Sequence, residues 1–158
     1  MTVLKLKDLT TASRSTLWRR ANPARYQFHL RSAQADRKIH NLPKAVRTAL
    51  MICFHSAKKS ATVDNREFKL TKDFLQRQWI LQEGKCKVSG IPMQTESGTV
   101  KERNNLRVSI DRIDNTKGYT KNNIHLVIWQ VNNAKGADTM QSVFDLAVAI
   151  VKNNNLTV

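Results

Sequence analysis

The chain has 158 residues, and its 27 Lys and Arg against 12 Asp and Glu leave a formal charge of +15. That length allows one domain, or a core with a small appendage, and the charge calls for a polyanionic partner, of which nucleic acid is the commonest. No run approaches a membrane span, the aromatic content of 6% is low for a helix lying on an anionic membrane, and no apolar stretch before Arg14 reads as a secretory signal, so a cytoplasmic protein with free thiols at Cys53 and Cys86 is expected.

Basic charge is concentrated early: residues 1–60 hold thirteen Lys or Arg against only Asp8 and Asp36. Lys5 to Arg20 reads as one or two short helices, with Thr10, Thr11 and Ser13 as turn and N-cap residues. Its last part, Arg14 to Arg20, looks like a helix-turn-helix recognition helix, in which hydroxyls and Arg14, Arg19 and Arg20 meet phosphates or base edges. The plainer alternative is an ordinary basic helix. Asn22-Pro23 ends it, and a second basic helix runs from Arg25 to about His40. A third follows Asn41-Leu42-Pro43, with Val46, Ala49, Leu50, Cys53 and Ala57 on one face. Lys44, Arg47, His55, Lys58 and Lys59 lie elsewhere on it, which leaves these charges, Lys58 and Lys59 among them, for DNA or solvent. Residues 1–60 are thus expected to form a basic helical DNA-binding region, and 61–158 a second domain.

In that second part a break from Ser60 to Phe68 leads to Thr71, which can cap a helix carrying Phe74, Leu75, Trp79 and Ile80. Gly84 can end it in a left-handed conformation. Leu106 to Asp114 and Asn123 to Trp129 are β-branched and short, and the stretch between them is polar with one glycine. They read as antiparallel strands joined by a long loop. A short helix over Gln130 to Gly136 then returns Asn132 towards Asp111. The last helix starts near Asp138, with Gln141 as capping-box partner, and is expected to bury Met140, Val143, Leu146, Ala147, Ile150 and Val151. The fold class is therefore α+β, mainly helical with a two-stranded sheet. Asp111 and Asn132 offer hard oxygen donors suited to Mg²⁺ or Mn²⁺.

Asp111-Arg112-Ile113-Asp114, Asn123-Ile124 and Val131-Asn132-Asn133-Ala134-Lys135-Gly136, preceded by Gly84-Lys85-Cys86-Lys87-Val88-Ser89-Gly90-Ile91-Pro92, together resemble the HNH endonucleases, particularly small phage and homing-type members. The resemblance spans about Gly84 to Gly136. It implies a ββα-metal motif in the C-terminal half, a nuclease domain over 61–158 and metal-dependent hydrolysis of DNA, double-stranded by preference, in a host cytoplasm if the chain is phage-encoded. It also implies Asp111 and Asn132 as metal ligands, Asn123 as the residue bracing the loop and Lys135 as a phosphate contact. The competing reading is a DNA-binding protein on a catalytically decayed HNH scaffold.

Two departures from the family pattern matter. Where many relatives bind zinc through two Cys-x-x-Cys pairs, this chain has Cys86-x-x-Ser89 and Ile128-x-x-Val131. A four-thiolate site is impossible, no structural zinc is expected, and Cys86 becomes a buried core thiol. The family's general-base His is here Arg112, which stays protonated at neutral pH. A histidine side chain is a common general base, but His125 has even odds of facing away from the metal, and Asp114 needs a bend in the strand. The preferred route is a metal-acidified water with Arg112 pairing with the phosphate, ahead of His125 as base.

Overall fold

The structure, a computed structural model, describes residues 13–96, 98 and 104–156, apart from the side chains of Arg14 and Phe28. The expected helix start between Lys5 and Thr11 lies outside the described residues. The chain divides into two compact units, one ending at Arg37 and the other beginning at Lys38.

In the first unit, helix α1 (Arg14–Ala21) begins where the Ser13 hydroxyl accepts the Thr16 N–H at 3.3 Å, satisfying one of the free donors of the first turn. Asn22 closes it by returning its N–H to the Trp18 carbonyl. Pro23 then opens α2 (Pro23–Lys38), since its fixed φ suits a first helical position and it has no N–H to lose there. The Arg19 guanidinium lies 5.1 Å from the centre of the Tyr26 ring, and Trp18 packs tilted on His29.

The second unit begins with a 3₁₀ turn (Ile39–Asn41) and continues through α3 (Lys44–Val63) and α4 (Lys72–Leu81). Strands β1 (Val108–Arg112) and β2 (Ile124–Ile128), then α5 (Trp129–Lys135) and α6 (Met140–Asn153), complete it. The apolar stripe of α3, with Val46, Ala49, Leu50, Ala57 and Ala61 buried, packs against α4 and β1. For that reason α3 belongs wholly to the second unit, with Lys58 and Lys59, and the boundary falls at Arg37/Lys38 rather than at residue 60. The Thr71 hydroxyl caps α4 by accepting the Phe74 N–H. Leu75, fully buried on α4, is worth about 1.5–3 kcal/mol of apolar burial.

β1 and β2 are antiparallel, in a register that opposes Asp111 to His125 and Ile110 to Leu126. Alternation places Ser109 and Asp111 of β1 on one face with His125 and Val127 of β2. Val108, Ile110 and Arg112, with Ile124, Leu126 and Ile128, take the other. A two-stranded sheet has two open edges, and side chains cover both. On β1, Cys53 donates to the Val108 carbonyl, Asn132 to that of Ile110 and Lys135 to that of Arg112. On β2, the Gln82 amide both donates to and accepts from the Leu126 backbone, at 2.7 and 3.1 Å.

The last helix differs from its sequence reading. Thr139, not Asp138, is its N-cap, and Gln141 bonds Asp145 instead of completing a capping box. None of its residues is buried, and Phe144, Leu146, Val148 and Ile150 are between 45% and 60% exposed. Periodicity marked a stripe able to be buried; its covering depends on neighbours, and α6 makes its principal contacts with the short α5. No helix among the described residues is long and apolar enough to cross a membrane.

Candidate functional site

Opposed positions in an antiparallel pair bring side chains on one face together. His125 Nε2 accordingly lies 2.8 Å from Asp111 Oδ2. From α5, Lys135 Nζ reaches the other carboxylate oxygen, Oδ1, at 2.9 Å. Asp111 and Lys135 are nearly inaccessible, with side chains 3% and 1% exposed, whereas His125 keeps 17%. Burial alone would raise the Asp111 carboxyl, but hydrogen bonds from His125 and Lys135 outweigh it and hold the group below its ordinary value. Asp111 is therefore ionised at neutral pH. An ionised carboxylate only accepts, so His125 Nε2 carries the hydrogen of that bond and Nδ1 is the ring's remaining acceptor when the imidazole is neutral.

Asn132 and Lys135 are three residues apart, which puts both on one face of α5. The Asn132 amide nitrogen donates to Ser109 Oγ at 2.8 Å and to the Ile110 carbonyl at 3.1 Å. This fixes the amide plane and turns its oxygen away from the strand edge. Asn132 and Ser109 also line a cleft of about 320 Å³ with Cys53, Ser56 and Ser60 of α3, Arg107 and Trp129. Burial pushes the Cys53 thiol up to about 11, so the sulfur facing this cleft is protonated and a poor nucleophile.

The loop between the strands is tied down along its length. The Asn123 side chain accepts the Asp114 N–H at 2.9 Å and donates to the carbonyls of Asp114 and Gly118. Asn115 reaches the end of α5, donating to the Gly136 and Asp138 carbonyls. Its own carbonyl accepts from Arg66 and Arg112. Gly118 packs so closely on Glu67 that a Cβ would stand 2.3 Å from the Glu67 carbonyl oxygen. The next residue, Tyr119, exchanges backbone hydrogen bonds with Glu67 and Lys69.

Asp111, His125, Asn132 and Lys135 thus converge where the sheet meets α5, and Arg112 does not join them. It sits on the opposite face of β1, its guanidinium bonded to the Asn115 and Lys117 carbonyls and 5.2 Å from the Tyr119 ring centre. Asp114 also stays apart, paired with Lys117 and bonded to Thr116, which lowers its carboxyl. Lys135, expected at a phosphate, is buried here and paired with Asp111, on the face of α5 that it shares with Asn132. Arg19, Arg20, Lys58 and Lys59 are exposed on their own units, and the side chain of Arg14 lies outside the described ones. The sequence reading missed Ser109, Asn115 and Arg66. Alternation from Asp111 would have placed Ser109, but no sequence pattern marked the other two.

Among the described residues no three His, Cys, Asp or Glu side chains form a metal cage. A Mg²⁺-like ion needs fewer protein donors, taking one or two carboxylates, waters and substrate phosphate. The ionised carboxylate of Asp111 and the oriented amide oxygen of Asn132 fit that chemistry, because each carboxylate oxygen has a second lone pair beyond its present bond. Lys135 opposes the fit. Two unit charges about 4 Å apart interact by about 4 kcal/mol at the effective dielectric of a protein surface, and a dication doubles that repulsion. Comparison with protein-family models, with curated proteins and with solved structures finds no match for this chain.

Proposed function

We propose that this protein is a DNA endonuclease of the HNH-like ββα-metal kind, hydrolysing phosphodiester bonds with a divalent ion, Mg²⁺ or Mn²⁺, held by Asp111 and Asn132. The observation that supports it is the convergence of Asp111, His125 and Asn132 where two antiparallel strands meet the following helix. An ion held by Asp111 and Asn132 would supply charge stabilisation at the scissile phosphate. Asp111 orients the His125 ring through Nε2, and Nδ1 is the atom that accepts the proton of the attacking water. This replaces Arg112 as the preferred group, because the loop carbonyls hold its guanidinium. Arg19, Arg20, Lys58 and Lys59 contact DNA phosphates, as the charge of +15 favours.

A second reading, a DNA-binding protein that does not cleave, is favoured by the Lys135 ammonium already neutralising Asp111. Supercoiled plasmid incubated with the protein and Mg²⁺ or Mn²⁺ separates the two. Nicked or linear product that disappears with EDTA and with Asp111→Ala supports the nuclease. Retarded but intact plasmid sinks it and leaves the second reading.

A further inference from the structure

One short helix, α5, carries both Asn132, whose amide oxygen is free of the strand edge, and Lys135, whose ammonium bonds Asp111 Oδ1. Lys135 does not depend on Asp111 alone. Its Nζ also donates to the Arg112 carbonyl, so the ammonium keeps an anchor when the carboxylate is shared. Its side chain is 1% exposed, too enclosed to be screened by solvent counter-ions. A positive charge so placed carries out part of what a metal ion does at a carboxylate: it neutralises Asp111 and leaves His125 Nε2 to the second oxygen.

We propose that Lys135 is a resident cation that competes with the divalent ion for Asp111, so that the charge at position 135 sets the metal affinity of the site. This rests on the nuclease reading, which places a metal at Asp111. It follows that the wild-type protein binds divalent ions weakly and that removing the ammonium, while keeping the aliphatic stem, strengthens binding. Lys135→Met does this. Lys135→Gln, which keeps a polar end for the Arg112 carbonyl, is expected to act in the same direction, and Lys135→Arg, which keeps the charge, is not.

The test is a Mn²⁺ titration of the full chain, followed by the electron paramagnetic resonance signal of free Mn²⁺, together with thermal unfolding with and without the ion. Lys135→Met and Lys135→Gln are expected to bind Mn²⁺ at least tenfold more tightly than wild type and to gain more unfolding temperature from it. Adding Asp111→Asn to either should abolish both gains. Wild type and the neutral variants binding equally, through Asp111, would overturn the competition while leaving the metal site intact. No Asp111-dependent binding in any variant would overturn the metal site and the competition with it. An equal gain in Lys135→Arg would show that packing, not charge, is responsible, and would also overturn the proposal.

Discussion

The junction of β1, β2 and α5 and the basic helices α1 and α2 put their charges to opposite uses. At the junction one anion, Asp111, is shared by His125 and Lys135 inside the protein, and each distance is set by strand register or helix phase. On α1 and α2 the arginines whose side chains are described are exposed, and none of these is held in a buried ion pair. Desolvated charges interact strongly and depend on tenths of an ångström, whereas exposed ones contribute weakly, are screened by salt and act through their number. Single substitutions should therefore be severe in the first region and graded in the second.

The largest effect is expected from Asp111→Ala. It leaves a buried ammonium without its anion, which should cost about 3–5 kcal/mol of stability and remove plasmid cleavage, measured by urea unfolding and by nicking. The same pair sets a pH dependence. Because Asp111 is held below its ordinary value of 3.8 when folded, its contribution is complete above that value and is lost as pH falls through the folded pKa. Urea midpoints of wild type should drop steeply in that acid range, and those of Asp111→Asn much less. An equally steep drop in the variant would break the contrast between the two regions.

Next in size is the proton-transfer step. His125→Ala should lower the cleavage rate by about 10²–10⁴-fold. Arg112→Ala should chiefly lower the unfolding temperature, since it frees the Asn115 and Lys117 carbonyls. Rates measured at matched folded fraction would reverse this assignment if Arg112→Ala were inactive and His125→Ala were not. A smaller loss, about 1–3 kcal/mol, is expected for Gly118→Ala, whose added methyl meets the Glu67 backbone. Unchanged stability there would mean that the loop gives way and does not brace the site.

The smallest effect on stability, within about 0.5 kcal/mol, should come from Arg19→Ala with Arg20→Ala. Their effect should appear instead in DNA binding, where the log–log dependence of affinity on salt should flatten by about 0.9 for each phosphate that is no longer neutralised. A slope identical to wild type would remove α1 from the DNA-contacting surface.

Local signals were legible wherever a single residue's chemistry decides the outcome. Ser13 and Thr71 cap helices as their hydroxyls allow, Asn22-Pro23 ends α1, and the α3 stripe is buried where its periodicity placed it. The β-branched runs became strands, with Asn123 bonded across the loop between them. By contrast, the α6 stripe was equally legible and none of it is buried, because a pattern shows which face could be covered and not what covers it.

Residue order alone settles the charge, the Ser13 and Thr71 caps, the pairing of two short strands and the presence of Asp111, His125, Asn132 and Lys135 within 25 residues. Their partners are a matter of how distant segments pack. The register that opposes Asp111 to His125 depends on which strand faces are buried, and that in turn on α3 and α4 packing from distant parts of the chain. The turn of α5 that sends Lys135 into Asp111 likewise arises from packing between segments that no local pattern relates, whereas Arg112 leaves the site by strand alternation and bonds loop carbonyls close to it in the chain.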